Sequence, residues 1–203
     1  MSAFYPWRPA SALDNRVLPV TLDDLKEHLR VEHDEQDRLL LTKIHAAVNE
    51  VERYIERALI AREFVMLLPA FPGADTTGIE IPNPPLQAVT SIKYLDENET
   101  EQTVDPANYR LNLSGILPNI VPTTGNNWPA TWGSTDAVRV TYTAGFGETQ
   151  SEVPPALREA VLLRAGTRFV MTEEAGLGAS LWQLGDDVAV HSLLAPFRLV
   201  TTV

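Results

Sequence analysis

The stretch Val20-Thr-Leu-Asp-Asp-Leu-Lys-Glu-His-Leu-Arg-Val31 decides how the fold of this chain begins. Thr21 can accept a backbone N–H as the N-cap of a helix, and Asp24 completes an acidic variant of the capping box. Apolar residues then recur at helical spacing, namely Leu22, Leu25 and Leu29. The stretch therefore predicts a short amphipathic helix that ends in the polar residues 32–37.

Two longer helices are predicted on either side of a middle region. The first follows residue 37 and reaches about Ala61, and the second begins at Pro154-Pro155, since proline suits the first helical turn. In both, apolar residues recur at steps of three and four and so define one buried face: Leu40, Ile44, Val48, Val51, Ile55 and Leu59, then Leu157, Val161, Ala165 and Phe169. Gly166 lies within the second of these helices and is predicted to allow a close contact.

Between these helices the apolar pattern changes from a helical period to a period of two. Short segments rich in β-branched and aromatic residues, bounded by turn residues, predict strands at 64–68, 88–95, 109–113, 116–117 and 137–143. The polar run 96–101 predicts a hairpin tip. The expected fold class is α+β, a small helical bundle with an inserted antiparallel β subdomain and extended terminal arms.

These patterns divide the chain into five predicted parts: an N-terminal arm 1–19, a helical hairpin 20–63, a β subdomain 64–150, a bundle helix 151–176 and a C-terminal arm 177–203. The first arm carries Tyr5 and Trp7. Large aromatic side chains are costly to leave in water, so this arm is predicted to pack on a neighbouring subunit.

Composition and charge exclude several classes of protein. The chain contains no cysteine, which removes disulfides, cysteine-bound zinc and a thiol nucleophile. No apolar run is long enough to span a membrane, and the N-terminus does not resemble a signal peptide. The net charge of -11, with only 16 basic residues, argues against tight binding of nucleic acid. An acidic surface would instead let DNA pass without adhering.

No motif predicts catalysis, a metal site or a cofactor. The histidines His28, His33, His45 and His191 lack the spacing of a zinc motif. The acidic clusters at 34–37 and 96–101 lack the spacing of an EF-hand. The glycine pairs at 145–147 and 176–178 precede no Walker lysine and are interpreted as turns. No catalytic residue, metal ligand or cofactor is therefore expected.

With these patterns in place, the sequence resembles the head–tail connector (adaptor) proteins of long-tailed phages and gene transfer agents. The likeness runs in order over residues 20–31, 37–58, 79–86, 89–94, 128–129, 138–147, 153–157 and 193–198. The resemblance implies a non-enzymatic homo-oligomeric ring, usually of twelve copies, at the head–tail interface of a particle assembled in a bacterial cytoplasm. Its partners would be the portal protein and a tail or stopper protein, with DNA passing through the lumen without specific binding and no membrane involved.

The C-terminal arm is predicted to dock on the portal, because its apolar residues follow a glycine-marked break and need not belong to the subunit's own core. These residues are Trp182, Leu184, Val188, Val190, Leu193, Leu194, Phe197, Arg198 and Leu199. Residues 188–190 could also add as a strand to a neighbour's sheet. Deletion of residues 177–203 is expected to leave the melting temperature unchanged and to prevent heads from joining tails.

Two other functions remain open from the sequence. The chain could be a stand-alone accessory domain whose β part binds a ligand or peptide, or a hydrolase that uses carboxylates such as Asp96 or Asp136. The sequence does not show whether the particle is an infectious phage or a gene transfer agent, and it does not fix the copy number. It also leaves open the residues that line the lumen, the tail-side partner and the arm that makes the main portal contact.

Overall fold

The computed structural model describes residues 7–9, 17–73, 78–173 and 188–199. The chain divides into two compact units. Among the described residues, the helical unit contains 17–60, 146–173 and 188–199, and the β unit contains 7–9, 61–73 and 78–145. The β unit thus interrupts the helical unit in sequence, and its sheets are antiparallel. The predicted α+β fold class is confirmed.

The helical unit contains α1 (Leu22–Leu29), α2 (Asp37–Ile55) and α3 (Pro155–Glu173). The capping box predicted at the start of α1 is present. Thr21 Oγ1 accepts the Asp24 N–H at 2.9 Å, and Asp24 Oδ2 accepts the Thr21 N–H at 2.7 Å. Two donors that a helix N-terminus leaves without partners are satisfied in this way.

Helix α2 ends before the predicted limit near Ala61. Glu56 adopts a left-handed φ of 56°, and the N–H groups of Glu56 and Arg57 both bond to the carbonyl of Glu52. The Glu52 carboxylate then accepts the Leu59 N–H at 2.9 Å. Leu59 is buried after this turn and not within the helix. Because it follows Ile55 at a helical spacing of four residues, the sequence predicted a longer helix.

The predicted apolar faces form the core of the helical unit, in which α1, α2 and α3 contribute Leu25, Leu40, Ile44, Val48, Val51, Ile55, Leu157, Val161, Ala165 and Phe169. Gly166 of α3 lies beside α1, but a Cβ there would be 3.4 Å from Leu29 Cδ2, an ordinary van der Waals distance, so the predicted need for glycine at this contact is not borne out. Glu50 of α2 pairs with Arg168 at 2.6 Å and with Arg164 at 3.4 Å on α3. Apolar packing and this charged cluster together hold the helices in register.

The β unit contains eight strands: β1 (Trp7–Pro9), β2 (Arg62–Leu68), β3 (Ile79–Glu80), β4 (Leu86–Leu95), β5 (Glu101–Thr103), β6 (Tyr109–Asn112), β7 (Asn119–Pro122) and β8 (Val138–Ala144). One sheet has the order β1-β2-β8-β4-β5, and the other has the order β3-β7-β6. The alternation of β8 is confirmed, because Val138, Val140 and Tyr142 are fully buried. Tyr142 pairs with Phe64 across the sheet, and their rings stack at 5.6 Å.

The strand predicted at 116–117 is wrong. These residues lie in the loop between β6 and β7, and the strand begins only at Asn119. Gly115 permits the tight turn, since a Cβ there would lie 3.0 Å from the Leu117 carbonyl oxygen. Two adjacent apolar residues between turn residues are typical of a short buried strand, which is why the sequence predicted one here. In the structure Ile116 is exposed.

The stability of the β unit should fall at alkaline pH because of Tyr142. Burial raises the pKa of the Tyr142 hydroxyl above its ordinary value. The folded chain therefore holds this proton more tightly than the unfolded chain does. The stabilisation that results is complete below the unfolded pKa of about 10 and is lost as the pH rises beyond it.

Urea unfolding at pH 8 and pH 10.5 should show this loss of stability in the wild type but a smaller loss in Tyr142→Phe. A Tyr94→Phe control should keep the full loss, and equal losses in all three proteins would contradict the prediction.

Candidate functional site

The described part of the predicted docking arm, residues 188–199, contains a helical segment. Residues 188–194 are helical, and a 3-10 turn at Ala195–Phe197 follows them. The alternative that residues 188–190 add as a strand to a neighbour's sheet is therefore wrong in this conformation, because helical residues bond their backbone groups within the helix.

One face of this segment belongs to the core of its own subunit. Val190 and Leu194, which are 0% and 3% exposed, belong to this core, and Leu193 and Phe197 pack partly buried against it. Leu199 is also buried, at 5% exposed. The sequence left open whether the arm folds back on its own bundle, and the described residues show that this face does so. The spacing of positions 190, 193, 194 and 197 is helical, but the other apolar residues of the arm interrupt this period in the sequence.

Hydrogen bonds fix the end of the segment to the end of α2. The Leu199 N–H donates to the Ile55 carbonyl at 3.2 Å, and Arg57 Nε donates to the Phe197 carbonyl at 2.7 Å. The last carbonyls of a helix lack partners within the helix, so Leu199 satisfies one of them. Partial burial lowers the pKa of the Arg57 guanidinium.

Aromatic contacts extend this attachment. The ring of Tyr54 lies 5.0 Å from the ring of His191, and the Arg198 guanidinium lies over the same Tyr54 ring at 5.3 Å. The rings of Phe146 and Phe197 meet edge to face at 6.3 Å. The predicted docking residues Phe197 and Arg198 are thus already engaged with their own subunit on one side.

The opposite side of the segment is exposed. Val188 is 69% exposed, and Ala189 and Arg198 are also exposed. The predicted docking residues Trp182 and Leu184 lie outside the described residues, as does Tyr5. Residues 7–9, which include Trp7, pair as β1 with β2 of the same chain, Trp7 opposite Met66.

The carboxylates considered for hydrolysis have structural contacts. Asp96 Oδ1 accepts the N–H groups of Asn98 and Thr100 at 2.9 and 3.0 Å, which closes the β4–β5 turn. The Thr100 N–H makes the largest contribution to a lowered pKa of Asp96. The Asp136 carboxylate accepts the Ser134 hydroxyl. Across the described ranges, no three His, Cys, Asp or Glu residues cluster as a metal site would require, and no helix there is long and apolar enough to cross a membrane.

The family comparison concerns the first half of the chain, from α1 to just after β6. Residues 19–114 match the sequence profile of the family described as phage gp6-like head-tail connector protein. The class of protein is therefore structural rather than enzymatic, as predicted. The resemblance to head–tail connector proteins that the sequence showed is confirmed by this match.

Solved structures match the fold over almost the whole chain. One, described as the neck of an empty GTA particle computed with C6 symmetry, has a TM-score of 0.76 at 24% identity and covers 98% of this chain and 97% of that chain. A second, the virion of a native gene transfer agent particle, has a TM-score of 0.74 at 24% identity, with 97% of each chain covered.

A third structure is described as the neck of a native GTA particle computed with C12 symmetry. Its TM-score is 0.72 at 23% identity, with 98% of this chain and 97% of that chain covered. At these identities the matches establish a shared fold. No curated protein matches the sequence significantly.

Proposed function

We propose that the protein is a ring-forming subunit at the head–tail junction of a phage or gene transfer agent particle. Its ring would lie between the portal and a tail or stopper protein, and DNA would pass through its lumen. The observation that carries the proposal is the match over 98% of the chain to a structure described as a neck with C12 symmetry. The connector family match of residues 19–114 supports the same role independently.

A ring of identical subunits imposes a requirement on this chain. Each copy must present two different surfaces, because the contacts around a ring are head to tail. Twelve copies follow from the resemblance and agree with the C12 symmetry of the neck structure. The purified chain should therefore form closed oligomers at high concentration, or on the portal.

Size-exclusion chromatography with light scattering, followed by negative-stain microscopy, tests this proposal directly. The expected result is a ring of about twelve copies in solution or bound to isolated portal. A protein that stays monomeric at ~100 μM, and that forms no ring on the portal, would refute the proposal. A monomer that instead binds a peptide or sugar would favour the accessory-domain function.

The DNA that crosses this ring should meet an acidic or neutral surface. The net charge of -11 supports this proposal, since binding to phosphates depends on clustered basic residues. The purified protein should produce no salt-sensitive shift of duplex DNA at micromolar concentration. A tight shift that weakens steeply between about 50 and 200 mM salt would contradict it.

We propose that the C-terminal segment contacts the portal through its exposed side only, and not through all of its apolar residues. Its buried residues anchor the segment to the subunit, while its exposed side, represented by Val188 and Arg198, faces the portal. Many copies of a weak contact act together around a ring, so a small surface on each subunit suffices. Tyr5 and Trp7 remain proposed for a contact between subunits.

A further inference from the structure

The hairpin formed by β6 and β7 exposes apolar side chains at its tip. Leu113 and Ile116 are 62% and 64% exposed, and Leu111 on the adjoining strand is 37% exposed. These large aliphatic residues lie close together along the chain and are not scattered over the surface. Such a grouping on an ordered element indicates a contact surface more often than chance exposure does.

The tip is held in place by the chain around it. The register of the two strands runs from Tyr109 opposite Pro122 to Asn112 opposite Asn119. The Ser114 N–H donates to Asn112 Oδ1 at 3.2 Å, which begins the turn. Ile120 of β7 is fully buried. The hairpin is therefore anchored on one side, and it presents Leu113 and Ile116 on the other.

The charge pattern of the chain indicates what this tip meets. No charged residue occurs at any position from 111 to 135, in a chain of net charge -11 in which 21% of the residues are charged. Two copies of such an acidic chain repel each other wherever their charged surfaces meet. An uncharged apolar surface allows two copies to approach without this repulsion. A basic partner would instead bind the acidic surface of the chain.

We propose that the β6–β7 hairpin tip, with Leu113 and Ile116 at its centre, is one of the two surfaces through which copies of this chain contact each other. The proposal rests on the proposed ring function. In a ring, the tip of one copy must meet a different surface of the next copy, because the contact is heterologous.

Photo-crosslinking tests this contact in the full chain. The sequence has no cysteine, so Leu113→Cys or Ile116→Cys introduces a single attachment point for a benzophenone maleimide. Head-to-tail contacts should give a ladder of covalent oligomers beyond the dimer, in assembled protein or on the portal. The matched control is Glu97→Cys, on the exposed β4–β5 turn, which should give little product. Dimers alone, products with another protein alone, or an equal ladder from the control would overturn the proposal.

A second variant pair measures the contribution of the tip to assembly. Leu113→Ser with Ile116→Ser should raise the subunit dissociation constant at least ~100-fold, because two aliphatic side chains lose their burial. The thermal midpoint of the monomer should stay unchanged, since both residues are exposed. Leu113→Met with Ile116→Met should retain assembly. If the wild type assembles and the serine variant assembles equally well, only this inference fails. If the wild type forms no oligomer either in solution or on the portal, the proposed function fails.

Discussion

Replacing Leu194 by alanine should lower the free energy of unfolding of the helical unit by about 2–4 kcal/mol. Leu194 is 3% exposed and belongs to the same core as α2 and α3. The substitution removes buried methyl groups and leaves a cavity that the hydrogen bonds at Phe197 and Leu199 hinder from closing. Urea unfolding followed by circular dichroism at 222 nm would measure the change.

Val188→Ala provides the matched control within the same segment. Val188 is 69% exposed, so its truncation should change the free energy of unfolding by no more than about 0.5 kcal/mol. Equal and small effects at positions 188 and 194 would show that the segment does not pack on its own subunit in solution. In that case deletion of residues 177–203 would leave the melting temperature unchanged, as the sequence alone predicts.

Replacing Val188 by aspartate should reduce the yield of joined particles by ~100-fold or more while leaving the subunit folded. The exposed valine tolerates a charge in the free subunit, but a portal contact would bury that charge without a partner, which costs several kcal/mol. Complementation of particles that lack this chain, with joined particles counted by electron microscopy, would measure the yield.

Val17→Asp is the control for this experiment, because Val17 is also an exposed valine of the helical unit, at 54%. It should support joining at the normal yield. If Val188→Asp also joins heads to tails normally, the docking role lies elsewhere, and the aromatic leader around Tyr5 and Trp7 is the next region to test. If both variants fail equally, the loss reflects added negative charge rather than a specific contact.

The sequence by itself determined the fold class, because local patterns carried the necessary information. The capping box at Thr21 and Asp24 depends on residues three apart, and it is present as predicted. The alternation in β8 and the helical period of α2 likewise need only near neighbours along the chain. The stretches between residues 20 and 94 that resemble head–tail connectors lie within the part of the chain that matches the family model, so the resemblance was visible from the sequence itself.

Only the tertiary structure decided which apolar residues are buried. Leu194 and Val188 are both apolar and six residues apart, yet one is in the core and the other faces solvent. Leu194 shares its core with residues of α2 and α3, which lie far away in sequence, so its helical spacing alone does not show what it packs against. Ile116 shows the reverse case. It resembles a strand residue, but the turn at Gly115 places it at an exposed tip. Burial depends on contacts between distant segments, which the sequence encodes only through the completed fold.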